Sequence, residues 1–246
     1  MRSILKNPTC LGHLVRLRYT TVSYKNKRRV DREPIVFQNA FEAIVTPELW
    51  DKCRELDRVR SIYGEKIKIF FGIEFGYDDH AENRYAELAD KYKFDYVINS
   101  VHLVGGKDCY LKECWENRSA DDVYKEYLEK VYKSVNADYP WQIVGHLGYP
   151  ARYAPKNERE FSFENYSREL TDILKAIIAN GKFLEINSST KSEKPFMPSE
   201  DILKKYANIG GKFVTFGSDA HSVERYCENS PEVEKIINKY GFISVG

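Results

Sequence analysis

The chain has 246 residues, of which 42% are hydrophobic and 30% charged, a composition typical of a globular protein with a sizeable core. Its apolar runs are far shorter than the roughly 20 residues of a transmembrane helix, so no membrane segment is expected. The net charge of +1 is unevenly distributed, because residues 1–33 carry nine basic and two acidic residues and the rest of the chain is therefore acidic. Nucleic-acid binding by the acidic main body is not expected.

The cysteines indicate a reducing environment. There are five of them, an odd number, and none forms a CxxC pair, so neither a disulfide framework nor a thiolate zinc site is predicted. Cys109 and Cys114 stand five residues apart in a polar loop and are expected to be free thiols rather than a redox pair. We therefore expect a cytoplasmic protein.

The first 35 residues differ from the rest of the chain. They show no sustained hydrophobic period, and their first acidic residue is Asp31. A basic, acid-poor N-terminus can be a transit peptide, but no clean amphipathic stripe accompanies it here. We therefore divide the chain into an atypical basic segment, residues 1–35, and a domain that carries the function, residues 36–246.

From Thr46 onward, helix and strand patterns alternate. Thr46 can cap a helix that begins at Pro47 and ends near Gly64. Five runs rich in aliphatic and aromatic residues follow, and each is typical of a strand buried on both faces. The runs are KIFFGIEF (68–75), DYVINSVHLV (95–104), WQIVGHLG (141–148), KFLEINSS (182–189) and KFVTFGSD (212–219).

Helical patterns lie between these strands. They cover residues 82–93, 120–135, 163–180 and 199–208, and glycines follow the last two. Repeated alternation of strand and helix predicts an α/β fold with a parallel sheet. In closed parallel barrels the functional residues project from the carboxyl ends of the strands, so the chemistry is expected there.

Metal-binding types of side chain stand at the ends of four of these strands. Glu74, His102 and His146 lie near the ends of the first three runs. Asp219 and His221 follow the fifth run. Packing gives no reason for charged groups at these positions. Imidazole and carboxylate ligands together suit Zn, Mn or Fe, and a carboxylate can bridge two ions, so the pattern predicts a metal site.

Each of these residues has a plainer interpretation when it is taken alone. A single histidine near an apolar strand is more often a hydrogen-bonded core or rim residue, and Glu74 could be a buried acid paired with a lysine or arginine. His80, in YDDHAEN, is interpreted as a solvated residue at a helix start. The eighteen tyrosines are attributed to packing, since no basic stripe accompanies them. The shared position at strand ends is what favours the metal site.

Five short motifs follow one another along residues 64–246: GIEFGY (72–77), INSVH (98–102), VGHLGY (144–149) followed by Arg152-Tyr153, LEINSS (184–189) and GSDAH (217–221). They resemble those of the polymerase and histidinol phosphatase (PHP) family, in particular its bacterial histidinol-phosphatase branch. Their order and spacing over residues 64–246 are more specific than any single motif. The resemblance implies a distorted (β/α)7 barrel with up to three metal ions at the strand ends.

The resemblance also implies roles for single residues. Glu74 is similar to the family's bridging carboxylate, and His102 and His146 to further ligands of one bridged ion. Asp219 resembles a ligand of the neighbouring ion. His221 resembles a ligand of the third ion or a group that touches substrate, and both Asp219 and His221 are candidate catalytic residues.

Arg152 is a candidate substrate-binding residue by the same resemblance. Its planar guanidinium fork suits the oxygens of a phosphate group. The alternative interpretation is a solvated surface arginine.

The chain departs from the family pattern in two places. The family opens with a metal-binding HxH strand followed by an Asp-His pair, whereas the only histidine before His80 here is His13. Where members often have GHxD, this chain has Gly148 at the acidic position. We therefore expect that residues 1–35 replace the first strand-helix units of a parent enzyme. A barrel incomplete at its N-terminus would hold fewer ions and hydrolyse its substrate poorly.

The leading hypothesis is a cytoplasmic, metal-dependent phosphomonoester hydrolase that resembles histidinol-phosphatase. That activity converts L-histidinol phosphate and water to L-histidinol and phosphate in histidine biosynthesis. The expected partner is a small-molecule phosphate ester, with no nucleic acid and no membrane, and the sequence leaves the oligomeric state open. The alternatives are a PHP phosphoesterase with another substrate and a non-catalytic barrel remnant that binds one metal ion or none.

Overall fold

The structure, a computed structural model, describes residues 14–16, 19–21, 29–31, 35–37, 55, 58–92, 94–189 and 196–245. The chain divides into two compact units, residues 1–71 and residues 72–246. The boundary expected between residues 35 and 36 stays a prediction.

The first unit contains two short antiparallel strand pairs. β1 (Leu14–Arg16) pairs with β4 (Ile35–Phe37), and β2 (Tyr19–Thr21) pairs with β3 (Arg29–Asp31). Of the helix expected from Pro47, residues 55 and 58–63 are described and are helical, and most of the remainder lies outside the described residues.

The second unit is an α/β fold on a parallel sheet. Its strands are β5 (Gly72–Gly76), β6 (Tyr96–Ser100), β7 (Leu103–Val104), β8 (Lys107–Asp108), β9 (Ile143–Val144), β10 (Phe183–Asn187), β11 (Phe213–Gly217) and β12 (Ile243–Ser244). β7 and β8 form a small antiparallel hairpin. The other six strands form one sheet in the order β5-β6-β9-β10-β11-β12, and every pair in it is parallel.

This sheet confirms the predicted α/β fold with parallel strands. Apart from the β7-β8 hairpin, each strand pairs with the one that precedes it in the chain, so the connections advance across the sheet in one direction, as they do in a parallel barrel. Within the described residues, β5 and β12 are edge strands and the sheet is open. Closure into a seven-stranded barrel stays a prediction.

Helices connect the strands of this sheet. The described part of the chain has α1 (Glu82–Tyr92), α2 (Ala120–Ser134), α3 (Ser167–Ala179), α4 (Glu200–Asn208) and α5 (Ser230–Tyr240), and the 3-10 helices Lys112–Cys114, Tyr149–Arg152, Lys156–Glu158 and Val223–Arg225. None of the helices among these residues is both long and apolar enough to cross a membrane. The sequence patterns predicted α1 to α4.

Helix α5 and strand β12 were missed, although the sequence contains signals for the helix. Pro231 lies in the first turn of α5, where its fixed φ suits a helix start. Gly241 follows the last turn with φ +67°, a conformation that glycine adopts at low cost. Val233 and Ile236, three residues apart, are the buried positions between these two signals.

Helix α3 shows how the sequence directs the packing. Its apolar residues Leu170, Ile173, Leu174 and Ile177 follow the spacing i, i+3, i+4, i+7, and all four side chains are fully buried. Burial of each such side chain stabilises the fold by about 1.5–3 kcal/mol. The helices thus cover the sheet and leave the carboxyl ends of its strands for polar side chains.

Replacing Leu174 with alanine should lower the free energy of unfolding by about 2–5 kcal/mol, because the substitution removes buried methyl groups and leaves a cavity. Urea denaturation followed by circular dichroism measures this difference. The exposed neighbour Lys175 provides the control, and Lys175→Ala should change the stability by no more than about 0.5 kcal/mol. Equal effects of the two substitutions would contradict the packing of α3.

Candidate metal centre and phosphate site

Three predicted metal ligands meet at the carboxyl ends of neighbouring strands. Glu74 lies in β5, His102 follows β6 by two residues, and His146 follows β9 by two residues. Oε1 of Glu74 is 3.3 Å from Nε2 of His102 and 3.0 Å from Nε2 of His146, and the two nitrogens are 3.1 Å apart. Among the described residues, these side chains form the one group of three potential ligands whose ligand atoms lie within 4.8 Å of one another.

The size of this triangle suits a divalent ion. Bonds of about 2.0–2.1 Å around a four-coordinate zinc place neighbouring ligand atoms roughly 3.3 Å apart. The observed separations of 3.0, 3.1 and 3.3 Å are close to that value. Two imidazoles and one carboxylate also form a donor set that suits Zn, Mn or Fe. The residues therefore fit a metal ion, and their role as its ligands stays a prediction.

The electrostatics of this cluster favour an ionised carboxylate. Burial raises the pKa of Glu74, but hydrogen bonds from His102 and His146 outweigh burial and hold that pKa well below its usual range. Burial lowers the pKa of His146, but the hydrogen bond to Glu74 and the nearby charge of Glu185 outweigh it, so the pKa is raised. The cluster thus attracts positive charge, which either a proton or a metal ion can supply.

His146 has an unusual backbone conformation. Its φ is +25°, a value that is costly for a residue with a side chain. Its backbone N–H donates to Oε2 of Glu185, in the adjacent strand β10, at 2.6 Å. The imidazole is 8% exposed, and its Nδ1 has no hydrogen-bond partner among the described residues. The orientation of the ring therefore depends on the backbone, on the contacts of Nε2 and on packing against neighbouring rings.

Asp219 and His221 form a second group with Arg152. Asp219 follows β11 by two residues and, like His146, has a positive φ, +47°. Its carboxylate is 3.3 Å from Nε2 of His221 and 3.9 Å from Nη1 of Arg152. The His221 side chain is 75% exposed. In the described residues, neither Asp219 nor His221 belongs to the close group around Glu74.

Arg152 is buried, so its interpretation as a solvated surface residue is wrong. Its side chain is 4% exposed. Nη2 donates to the carbonyl of Ser189 at 2.8 Å and to Oδ1 of Asn187 at 3.3 Å, while Nε has no partner among the described residues. Arg152 also lines a cavity of about 30 Å³, whose other walls are mostly apolar and include Leu147, Phe161 and Met197. A buried cation with a free donor, facing one carboxylate at 3.9 Å, favours an anionic ligand.

A hydrogen-bonded path joins the two groups. Oε2 of Glu185 accepts the backbone N–H of His146 and lies 3.5 Å from Nδ2 of Asn187. Oδ1 of Asn187 in turn accepts a hydrogen bond from Nη2 of Arg152. Sequence reasoning missed Glu185 and Asn187 as site residues. The available signal was two polar side chains two residues apart in an otherwise apolar strand, both of them buried in the structure.

An aromatic wall, which the sequence analysis treated as ordinary packing, borders the histidines. The ring of Tyr149 lies 4.8 Å from that of His102 and 5.0 Å from that of His146, and 5.1 Å from that of Tyr153. Its hydroxyl donates to Oδ1 of Asp108 at 3.1 Å. Burial, the neighbouring Tyr153 and the Asp108 carboxylate raise the pKa of Tyr149, so its hydroxyl stays protonated beside the imidazoles.

Comparison with protein families gives a match to the PHP domain over residues 25–189, more than half of the chain. This range includes Glu74, His102, His146 and Arg152. It ends before Asp219 and His221.

Curated relatives are similar over much of the chain. The histidinol-phosphatase of Lactococcus lactis subsp. lactis is 31% identical over 194 residues, which are 77% of this chain and 71% of that protein. A probable histidinol-phosphatase of Clostridium acetobutylicum is 31% identical over 158 residues, which are 63% of this chain and 61% of that protein. The chain therefore spans about three fifths of the length of the Clostridium relative.

A solved structure has a similar fold. It is the crystal structure of the Lactococcus lactis histidinol phosphate phosphatase in complex with zinc, L-histidinol and phosphate. The TM-score is 0.71 at 26% sequence identity, and the match covers 84% of this chain and 78% of that chain.

Proposed function

Because this chain belongs to the PHP domain family, we propose that it is a metal-dependent phosphomonoester hydrolase that converts L-histidinol phosphate and water to L-histidinol and phosphate. The observation that carries the proposal is the Glu74, His102 and His146 cluster, connected through Glu185 and Asn187 to the buried guanidinium of Arg152. The choice of substrate is supported by the names of the relatives and by the ligands of the Lactococcus structure. Histidine biosynthesis in the cytoplasm is part of the same proposal.

The site residues have distinct roles in this proposal. Glu74, His102 and His146 would hold a Zn, Mn or Fe ion, which supplies Lewis acidity to the phosphoryl oxygens. Arg152 would bind those oxygens with its guanidinium fork. Asp219 would orient Arg152 and His221, and the exposed imidazole of His221 would give a proton to the leaving oxygen of histidinol.

A non-catalytic protein that binds one ion or none is the second candidate. The observation that favours it is the position of Asp219 outside the close group around Glu74 in the described residues. Paired metal ions about 3.5–4 Å apart give dinuclear phosphatases much of their rate. With Asp219 outside that group, the described residues offer one close ligand set, so a slow turnover is expected even if the chain is a hydrolase.

Phosphate release from L-histidinol phosphate tests the proposal. With added Zn²⁺ or Mn²⁺ we expect slow release above the rate without protein, and a chelator should abolish it. His102→Ala should reduce the rate by about 100-fold, because the cluster loses one of its three ligands. His80→Ala is the matched control and should leave the rate unchanged, since His80 is exposed and lies outside the cluster.

Elemental analysis of the same samples distinguishes the two candidates. Metal-dependent release, at any metal content, supports the hydrolase, and two or three ions per chain would explain a fast rate. One ion or fewer, with no release at any metal concentration, supports the non-catalytic alternative.

A further inference from the structure

Gly217, the first residue of the GSDAH motif, lies against a buried carboxylate of the neighbouring strand. β10 and β11 pair in a register that places Glu185 opposite Thr215 and Asn187 opposite Gly217. A Cβ atom on Gly217 would overlap Oε1 of Glu185 and would lie 3.0 Å from its Cδ. Gly217 is not among the glycines with positive φ, so an added side chain would conflict with the Glu185 carboxylate and not with the backbone conformation.

The other oxygen of the same carboxylate contacts the candidate metal centre. Oε2 of Glu185 accepts the backbone N–H of His146 at 2.6 Å, which is a short hydrogen bond. Glu185 is 7% exposed, and a carboxylate is costly to bury unless hydrogen bonds compensate it. The N–H that it accepts belongs to a residue with φ +25°, so this bond stabilises a conformation that the chain would otherwise avoid.

We propose that Glu185 is a positioning residue for the metal centre, and that Gly217 lacks a side chain because a Cβ there would displace the Glu185 carboxylate. Glu185 fixes the backbone of His146 so that Nε2 of the imidazole faces Glu74 and His102. The inference rests on the proposed metal site. The proposed arrangement involves three of the motifs. Glu185 belongs to LEINSS and His146 to VGHLGY, and Gly217 of GSDAH leaves room for the carboxylate.

The physical consequence is a loss of metal affinity when the carboxylate is removed or moved. Without Glu185, the N–H of His146 loses its partner and the backbone can relax from positive φ, which shifts the imidazole away from the other two ligands. Hydrogen-bonding partners of metal ligands typically change metal affinity by about 10–100-fold.

Titration of the full chain with Co²⁺ alone, followed by the visible absorption of the bound ion, tests the inference without any assay of turnover. Glu185→Ala should weaken Co²⁺ binding by about 10-fold or more and alter the absorption spectrum. Glu185→Gln should restore the affinity to within about 3-fold of the wild type, because its amide oxygen can still accept the N–H of His146. A merely structural role would not give this rescue.

Gly217→Ala provides an independent arm, because it should reproduce the loss seen with Glu185→Ala. In the Glu185→Ala background the same substitution should weaken binding by less than about 2-fold further, since the group it would displace is absent. Gly211→Ala is the steric control. Its Cβ would overlap the Tyr206 ring, but Gly211 precedes β11 at the opposite end from the site, so Co²⁺ affinity should not change.

Three outcomes would overturn the inference. A folded Glu185→Ala protein could bind Co²⁺ within 2-fold of the wild type, the losses from Glu185→Ala and Gly217→Ala could simply multiply, or Glu185→Gln could bind as weakly as the alanine variant. If circular dichroism shows that Glu185→Ala does not fold, Gly217→Ala and Glu185→Gln carry the test with the same expected values. A wild-type chain that binds no Co²⁺ would also overturn the proposed function, whereas unchanged variants of a Co²⁺-binding chain would overturn this inference alone.

Discussion

Replacing Glu74 with glutamine should lower the affinity of the protein for Zn²⁺ or Co²⁺ by about 100-fold or more. The substitution keeps the size of the side chain and removes the charge that faces both imidazoles at 3.0 and 3.3 Å. Loss of a hydrogen-bonding partner of a ligand costs about 10–100-fold in metal affinity, so loss of the ligand itself should cost at least the upper value. Co²⁺ titration and elemental analysis of the purified protein measure the effect.

Glu87 provides the matched control for this substitution. It lies on the exposed face of α1 in an ion pair with Arg84, remote from the cluster, so Glu87→Gln should leave the metal content unchanged. Metal content that is the same in Glu74→Gln as in the wild type would show that the carboxylate is not a ligand. The cluster would then be a hydrogen-bonded group of two histidines and an acid.

Replacing Arg152 with methionine should lower kcat/KM for L-histidinol phosphate by about 100-fold, with most of the change in KM. Methionine fills a similar volume but supplies no donors, so the phosphate loses a charge-assisted contact and Asp219 loses a cationic neighbour. Removal of one partner from a buried charged interaction costs about 2–5 kcal/mol, which corresponds to a factor of roughly 30 or more. Inhibition by inorganic phosphate gives a second measurement, and its inhibition constant should rise in parallel.

Arg118 is the corresponding control, because it is also an arginine paired with a carboxylate, that of Glu126, but it has no contact with the cluster. Arg118→Met should leave both constants unchanged. Arg152→Lys should recover part of the affinity, since lysine restores the charge but not the planar fork. A folded Arg152→Met protein with unaltered phosphate inhibition would assign Arg152 a purely structural role.

Local patterns in the sequence were sufficient for most of the fold. The i, i+3, i+4, i+7 spacing in α3 and the apolar run that became β10 report which face of each element is buried. Each of the five predicted runs covers all or most of one strand of the parallel sheet, and the alternation of strands and helices implied parallel pairing. Helix α5 could also have been predicted from the sequence, because a proline lies in its first turn and a glycine follows its last turn.

The sequence by itself placed metal-binding types of side chain at strand ends and so predicted the kind of chemistry and its location. These residues are Glu74, His102, His146, Asp219 and His221. Only the tertiary structure decided how these residues are grouped. The structure brings the first three together and pairs Asp219 with His221 near the buried Arg152. It also places the Glu185 carboxylate in a hydrogen bond with the backbone N–H of His146.

The physical reason is that hydrophobic periodicity is a local property, whereas a site depends on distances between distant parts of the chain. Glu74 and His146 are 72 residues apart in sequence and 3.0 Å apart in space. That distance is set by the register of β5, β6 and β9 and by the backbone turn at His146, where φ is +25°. Neither the register nor this turn produces a periodic pattern in the sequence, so neither could be predicted before the sheet was known.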